Sequence, residues 1–463
     1  MKKSLLISMI LVVVFANCRK IEVDGSNGTA NPPTTENTTL SGEINTDRTL
    51  KTGTTYVLKG IVYVTNGAKL NIEAGAKIVG EKSSRGTLVI TRGCQILANG
   101  TSEKPIIFTS DAATPTRGDW GGIVLCGRAT TNASFNGQAG LGEVEGGVNN
   151  GNGWGLYGGA DDNDNSGVLK YVRIEYAGYA FLPDKELNGL SFYAVGRGTT
   201  VDFVQVSFAN DDSFEWFGGA VNCKHLIAYK GLDDDFDTDN GFKGSVQFAI
   251  GFRDSAIADI SGSNGFESDN DAGGSTLVPQ TGAVFSNVTL VGPRPTSAGI
   301  GNTNYRRGLH IRRNSALSIF NSIVMGWPTG YLLDGSTGRP TDLNLVNNTS
   351  AVTGVIFGGN NAQFSYAAST TSPTGWKTDS VTAYVNRSNG ANSVLAAASD
   401  IKLGNPFGYD ASVDFNPASG SPALTGAVFT DPKVANANFT VTAYRGAADS
   451  GDGWWKQWTR FGN

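Results

Sequence analysis

The chain has 463 residues, of which 62 are glycine, with 17% charged residues and a formal net charge of −5. So small a charge on a chain of this length leaves no basic footprint for nucleic acid. Abundant glycine with β-branched residues and little charge points to many short strands joined by tight turns.

The first seventeen residues read as an export signal. Lys2 and Lys3 precede an apolar run from Leu5 to Phe15, followed by Ala16, Asn17 and Cys18. That run is too short to cross a bilayer of roughly 30 Å as a helix. A cysteine directly after it resembles a lipobox, which makes Cys18 the expected lipidation site and the lipid the expected anchor to the outer membrane. The alternative is an ordinary secreted protein with an incidental cysteine, since Asn17 stands where a small residue is usual. Residues 18–40 contain DGSNGTANPPTTENTT, too poor in apolar groups to fold, and read as a tether. The body is expected over 41–463. Beyond Cys18 the cysteines are Cys94, Cys126 and Cys223. An odd number rules out complete pairing, though Cys94 and Cys126 could meet on neighbouring coils; small buried apolar residues are the other reading.

A repeat then sets the fold. The segments YVRIEY (171–176), FVQVSF (203–208), HLIAY (225–229) and FAIGF (248–252) alternate apolar and polar residues and close on an aromatic. Phe208 to Tyr229 is 21 residues and Tyr229 to Phe252 is 23. NVTL (287–290) and SIVM (322–325) fit the same slot after longer insertions. Strands at this period without a helical pattern predict an all-β fold, a right-handed parallel β-helix with capped ends. Tyr176, Phe208, Tyr229 and Phe252 are expected to form one internal stack. Residues 131–167, rich in Asn and Gly, read as an inserted loop, and the Trp-rich segment 444–463 as a C-terminal aromatic cap.

The stretches 57–80, 87–110 and 118–129 resemble the opening coils of pectin-lyase-like β-helix surface lipoproteins of Bacteroidota, and DFNPASGSPALTGA (414–427) resembles the closing turn of many bacterial β-helices. The resemblance implies fold and cell-surface location.

One constellation carries possible chemistry. The second strands GLSFYAV (189–195), SFEWFGG (213–219), DFDTDNG (235–241), GFESDND (265–271) and GLHIRRN (308–314) align with Leu190, Phe214, Phe236, Phe266 and Leu309 facing inward. Residues one and three further on then point outward together. The first outward column is Ser191, Glu215, Asp237, Glu267 and His310; the second is Tyr193, Phe217, Asp239, Asp269 and Arg312. Stacked carboxylates repel unless a cation intervenes, and such a cluster suits Ca²⁺, which takes oxygen ligands. The arrangement resembles the active-site face of polysaccharide lyases of this fold. That implies Ca²⁺ on Asp237, Asp239, Glu267 and Asp269 and proton abstraction by Arg312 or Arg313. A glycoside hydrolase would use the carboxylates as acid and base, with His310 or Glu215 assisting. An unoccupied solvated ladder is equally compatible with the pattern, and runs such as Asp233-Asp234-Asp235 are usually only wet. Asp162-x-Asp164-x-Ser166-Gly167 looks like half a Ca²⁺ loop but reads as a tight turn. No Gly-x-Ser-x-Gly, phosphate-binding loop or zinc-protease motif occurs. The functional expectation is a glycan- or protein-binding module at the outer membrane. The alternatives are a Ca²⁺-dependent lyase or hydrolase, and a scaffold within an outer-membrane assembly.

Overall fold

Three ladders of short parallel strands run the length of the molecule, and each turn of the chain adds one strand to each ladder. The computed structural model describes residues 38–182, 185–293 and 301–462. Expectations for the segment before residue 38, Cys18 among them, lie outside the described residues. The first strand, Thr39–Ile44, begins two residues before the expected start of the body at 41. Twenty-six strands join in one continuous parallel sheet wound into a right-handed β-helix. Among the described residues no helix is long and apolar enough to cross a membrane.

Alternation along each strand builds the core. Val172, Val204, Leu226, Ala249 and Val288 pair in register on successive coils. Each is buried, and the inward residues of the three ladders make one cluster from Leu40 to Val385. Between two ladders the chain bends at a residue with left-handed backbone: Tyr171, Phe203, His225, Phe248, Asn287, Asn321 and then Gly354, all with φ between 49° and 71°. Such a φ is uncommon outside glycine and suits asparagine best. The four aromatic members compensate by stacking outside the coil, with ring centroids 4.4 Å (Tyr171–Phe203), 4.2 Å (Phe203–His225) and 5.1 Å (His225–Phe248) apart.

The expected internal aromatic stack needs correction. Tyr176, Phe208, Tyr229 and Phe252 do stack, at 4.9, 5.2 and 4.6 Å, but on the outside of the coil. The register pairs Ser207, not Phe208, with Tyr229. Two adjacent columns therefore contribute, and the Phe208–Tyr229 rings meet tilted by 59° rather than parallel.

What covers these rings is the C-terminal tail. Trp455, Trp458 and Phe461 belong with Tyr229, Phe252 and Phe208 in a second apolar cluster. The tail thus straps the flank and does not plug the end, as the aromatic cap at 444–463 was expected to do. Buried glutamines hold it like surrogate strands: Gln205 donates to the Arg460 carbonyl at 2.8 Å and accepts from its N–H at 2.9 Å, and Gln247 clasps Thr440 in the same way at 2.7 Å each. The end of the core is closed instead by the helix Thr378–Val385, which buries Val381 and Val385.

The insertion 131–167 folds into two short hairpins, Ser134–Phe135 with Gln138–Ala139 and Gly142–Glu143 with Leu156–Tyr157. It lays Val144, Val148 and Tyr157 over the outward residues Val124, Cys126, Tyr193 and Phe217. Cys94, Cys126 and Cys223 are free and buried, Cys94 and Cys223 in the core of the coil and Cys126 beneath the insertion.

Candidate functional site: an acidic trough beside the insertion

The face covered by the insertion continues onto the next coils, and there it turns acidic. Register pairs Leu190, Phe214, Phe236, Phe266 and Leu309 as the inward column and stacks Ser191, Glu215, Asp237, Glu267 and His310 as the first outward one. The second runs Tyr193, Phe217, Asp239 and, just past the strand end, Asp269, whose N–H continues the ladder to Thr238 at 2.9 Å. Small hydroxyls fill the inward side beneath: Thr238 bonds Ser268 at 2.7 Å and Ser268 bonds Ser315 at 2.6 Å.

A third column, two residues before each inward position, was not foreseen. It comprises Asn188, Asp212, Asp234, Asn264 and Arg307. Asp212 accepts from the Asp234 N–H at 2.7 Å, and Asp234 accepts from the N–H of Asn264. Asp234 is buried, and its neighbour Asp235 forms a fully buried ion pair with Arg253 at 2.8 Å. The run 233–235 is therefore structural and site-forming, not solvated. The signal that could have found it was the alignment itself, in which Asn, Asp, Asp and Asn recur at one offset.

The columns bring three overlapping carboxylate groups together: Asp211–Asp212–Asp233, Asp212–Glu215–Asp237 and Asp234–Asp237–Glu267, with ligand oxygens within 4.8 Å inside each group. Asp212, Asp233, Asp234, Asp237 and Glu267 line a cleft of about 210 Å³ closed by Arg307, His310 and Arg312. Burial, reinforced by Glu215, Glu267, Asp234 and Asp269, pushes the Asp237 carboxyl well above the usual range. Burial and the charges of Glu145, Asp211 and Asp239 do the same to Glu215, to which Asn188 donates. Burial also lifts Asp233 to about 7, with Asp259 and Glu267 adding to it. Asp237 Oδ1 is buried with no hydrogen-bond partner, as are the side-chain oxygens of Asn188 and Asn264.

The other end of the trough is neutralised. Arg312 reaches Asp269 through Nε at 2.8 Å and through Nη2 at 3.1 Å, and also pairs with Glu267. Arg313 adds a second cation 2.9 Å from Asp269. His310 lies between Glu267, 3.1 Å from Nδ1, and Asp334, 3.3 Å from Nε2. Burial works against the charged form of Glu267, but the His310 hydrogen bond and Arg312 outweigh it and hold this carboxyl low. Arg312 is held charged: its desolvation is overcome by Glu267 and Asp269, and its pKa moves up. A base that takes an α-proton needs the opposite shift.

The turn at Asp162 is filled by the protein. Lys243 reaches Asp162 at 2.7 Å, Thr130 donates to it, and Asp164 accepts from the Arg128 N–H at 3.0 Å.

A family model for pectate-lyase-like β-helix domains matches residues 42–400. The chain belongs to that family. Neither a curated protein nor a solved structure matches it. For this pectate-lyase-like β-helix domain the match covers every coil that builds the trough and ends before the strap. It carries the fold; the chemistry of the trough must be argued from its side chains.

Proposed function

We propose that this protein is a non-catalytic binding module of the cell surface, held at the outer membrane by a lipid on Cys18, whose acidic trough takes up Ca²⁺ and, so loaded, acidic polysaccharide. The single observation that carries this reading is Asp237. Its buried Oδ1 has no hydrogen-bond partner, and of the carboxylates grouped around it only Glu267 is met by protein cations, Arg312 and His310. A buried polar atom left unpaired costs about 1–3 kcal/mol, more when charged. The donor set is all oxygen: Asp212, Glu215, Asp234, Asp237 and Glu267, with the amide oxygens of Asn188 and Asn264 at hand. That is the ligand chemistry of Ca²⁺, which wants six to eight oxygens. Bound there, Ca²⁺ supplies the positive charge that cancels the repulsion and attracts the carboxylates of a glycan. The state of Arg312, held charged by two carboxylates, favours binding over lyase chemistry.

The test is a thermal melt with EDTA and with Ca²⁺, together with binding of an acidic polysaccharide and an assay for unsaturated uronate products. Stabilisation and binding that both need Ca²⁺, without product, are expected. Melting that ignores Ca²⁺ overturns the reading. For the anchor, Cys18→Ala should move the protein from the membrane fraction to the soluble one, and unchanged membrane association removes that part of the proposal.

One observation favours glycoside hydrolysis as a second reading. Asp237, whose carboxyl burial pushes up, lies beside Glu267, whose carboxyl His310 and Arg312 hold down against burial, an arrangement that separates acid from base. New reducing ends from an acidic polysaccharide, lost in Glu267→Gln, would select this reading.

A further inference from the structure

A separate groove lies on another ladder of the coil, where the outer aromatic stack begins. Tyr176 is its first ring. Phe208 covers one side of it at 4.9 Å, nearly parallel at 11°. On the preceding coil Ile174 pairs with Phe108, and extending that register by two residues places Ser110 opposite Tyr176. Among the described residues no other ring stacks on Tyr176. Its free face opens on a hollow of about 450 Å³, with a polar rim of Thr109, Ser110 and Thr114. A second hollow of about 590 Å³ continues it, sharing Thr114, Pro115 and Tyr176. Both fall within the range of small-ligand sites, about 300–1,000 Å³.

The charge of this groove is opposite to that of the trough. Lys77, Arg173 and Arg460 border the first hollow against one carboxylate, Glu175, which Arg173 meets at 3.2 Å. Among the described residues neither Lys77 nor Arg460 has an ion-pair partner. In the second hollow Arg117 stands 5.4 Å over the Phe208 ring, with its Nε buried and without a hydrogen-bond partner. It stands against one carboxylate, Asp254, which Lys230 meets at 3.7 Å, so that the two hollows together hold four cations and two carboxylates. A net positive groove in a chain of net charge −5 selects an anion. The free aromatic face selects a ligand with an apolar plane, and the hydroxyl rim one with polar edges. A sugar ring bearing a carboxylate has all three, and arginine forks match carboxylates.

We infer that the groove around Tyr176 is a second site, one that takes a short acidic oligosaccharide without any metal. The strap completes it. Arg460 is carried by the tail segment that Gln205 clasps, so the site has this cation only with the tail in place. This inference does not rest on the acidic trough.

The experiment uses the full chain in EDTA, with trigalacturonate as the probe and its carboxyl-reduced, neutral counterpart as the control, followed by isothermal titration calorimetry. Saturable binding of the acidic probe is expected, with at least tenfold weaker binding of the neutral one. Tyr176→Ala and Arg460→Ala should each weaken it about tenfold, Tyr176→Phe should retain it, and Asp237→Asn should leave it unchanged. Arg460 is exposed, so its variant keeps the fold and stays informative if Tyr176→Ala does not. No saturable binding in EDTA, equal affinity for the neutral probe, or binding that Arg460→Ala spares and Asp237→Asn removes would each overturn the inference.

Discussion

Asp237 and Arg312 show how the two outward columns of a β-helix face are divided between repulsion and neutralisation. Without a cation, Asp237 must stay protonated or face Glu215, Asp234 and Glu267 at close range. Asp237→Asn is therefore expected to raise the melting temperature in EDTA and to abolish the rise produced by Ca²⁺; an EDTA melt that falls would contradict the assignment. Arg312→Ala acts in the other direction, since it strips Glu267 and Asp269 of their closest cation. Breaking a buried pair costs about 3–5 kcal/mol, and the partial exposure of Arg312 places this case near about 3 kcal/mol. The measurement is the denaturant midpoint, with Arg312→Lys as partial rescue. The inward residues Phe236, Phe266 and Leu309 made both outward columns legible in the sequence, because strand parity leaves no freedom once one position is fixed. Asp212 and Asp234 were not legible in the same way. They lie in the bend before the strand, where parity no longer applies, and acidic turn residues are ordinarily solvated.

At the scale of elements, the bends and the strap limited what the sequence could tell. Phe208 has φ 58°, a left-handed conformation that a phenylalanine seldom takes. Matching its ring to that of Tyr229 by type gave a step of 21 residues where the register has 22. The Trp-rich tail was legible as a cover for apolar surface, but its place depends on Gln205 and Gln247 pairing across more than 190 residues of chain, and pairing at that separation leaves no local pattern. Trp458 meets Tyr171 and Phe203 edge-on at 5.9 and 6.0 Å and is buried. Removing such a side chain costs about 3–5 kcal/mol. In a solenoid each coil contacts only its neighbours, so the loss should stay local. Trp458→Ala is expected to speed amide exchange in 444–462 and in the coils from Tyr171 to Phe248, while the coils before residue 126 keep their protection. Exchange that rises uniformly along the chain would show that the strap holds the whole solenoid and not one flank.

For the molecule as a whole, the trough ties stability to pH in a direction opposite to that of most proteins. Asp233 is raised from 3.8 to about 7, chiefly by burial. Asp235 is raised by burial to about 6 against the opposing charge of Arg253. Asp234, Asp237 and Glu215 move the same way. Between about pH 4 and 7 the native chain thus holds more protons than the unfolded one, and stability must fall as pH rises through that window. Asp334 has the contrary sign. Burial opposes its charged form, but His310 and Ser336 hold it at about 2, so its contribution is lost only as pH drops from about 4 toward 2. In EDTA the melting temperature should therefore peak near about pH 4–5 and decline toward pH 8. Saturating Ca²⁺ should reverse the decline, because it binds the ionised carboxylates and its affinity grows as their protons leave. Two melting series from pH 4 to 8, one in EDTA and one in Ca²⁺, decide the matter. If the two curves run parallel, the carboxylates titrate without holding the ion; if the EDTA curve is flat, the trough is open enough to water that burial does not govern it.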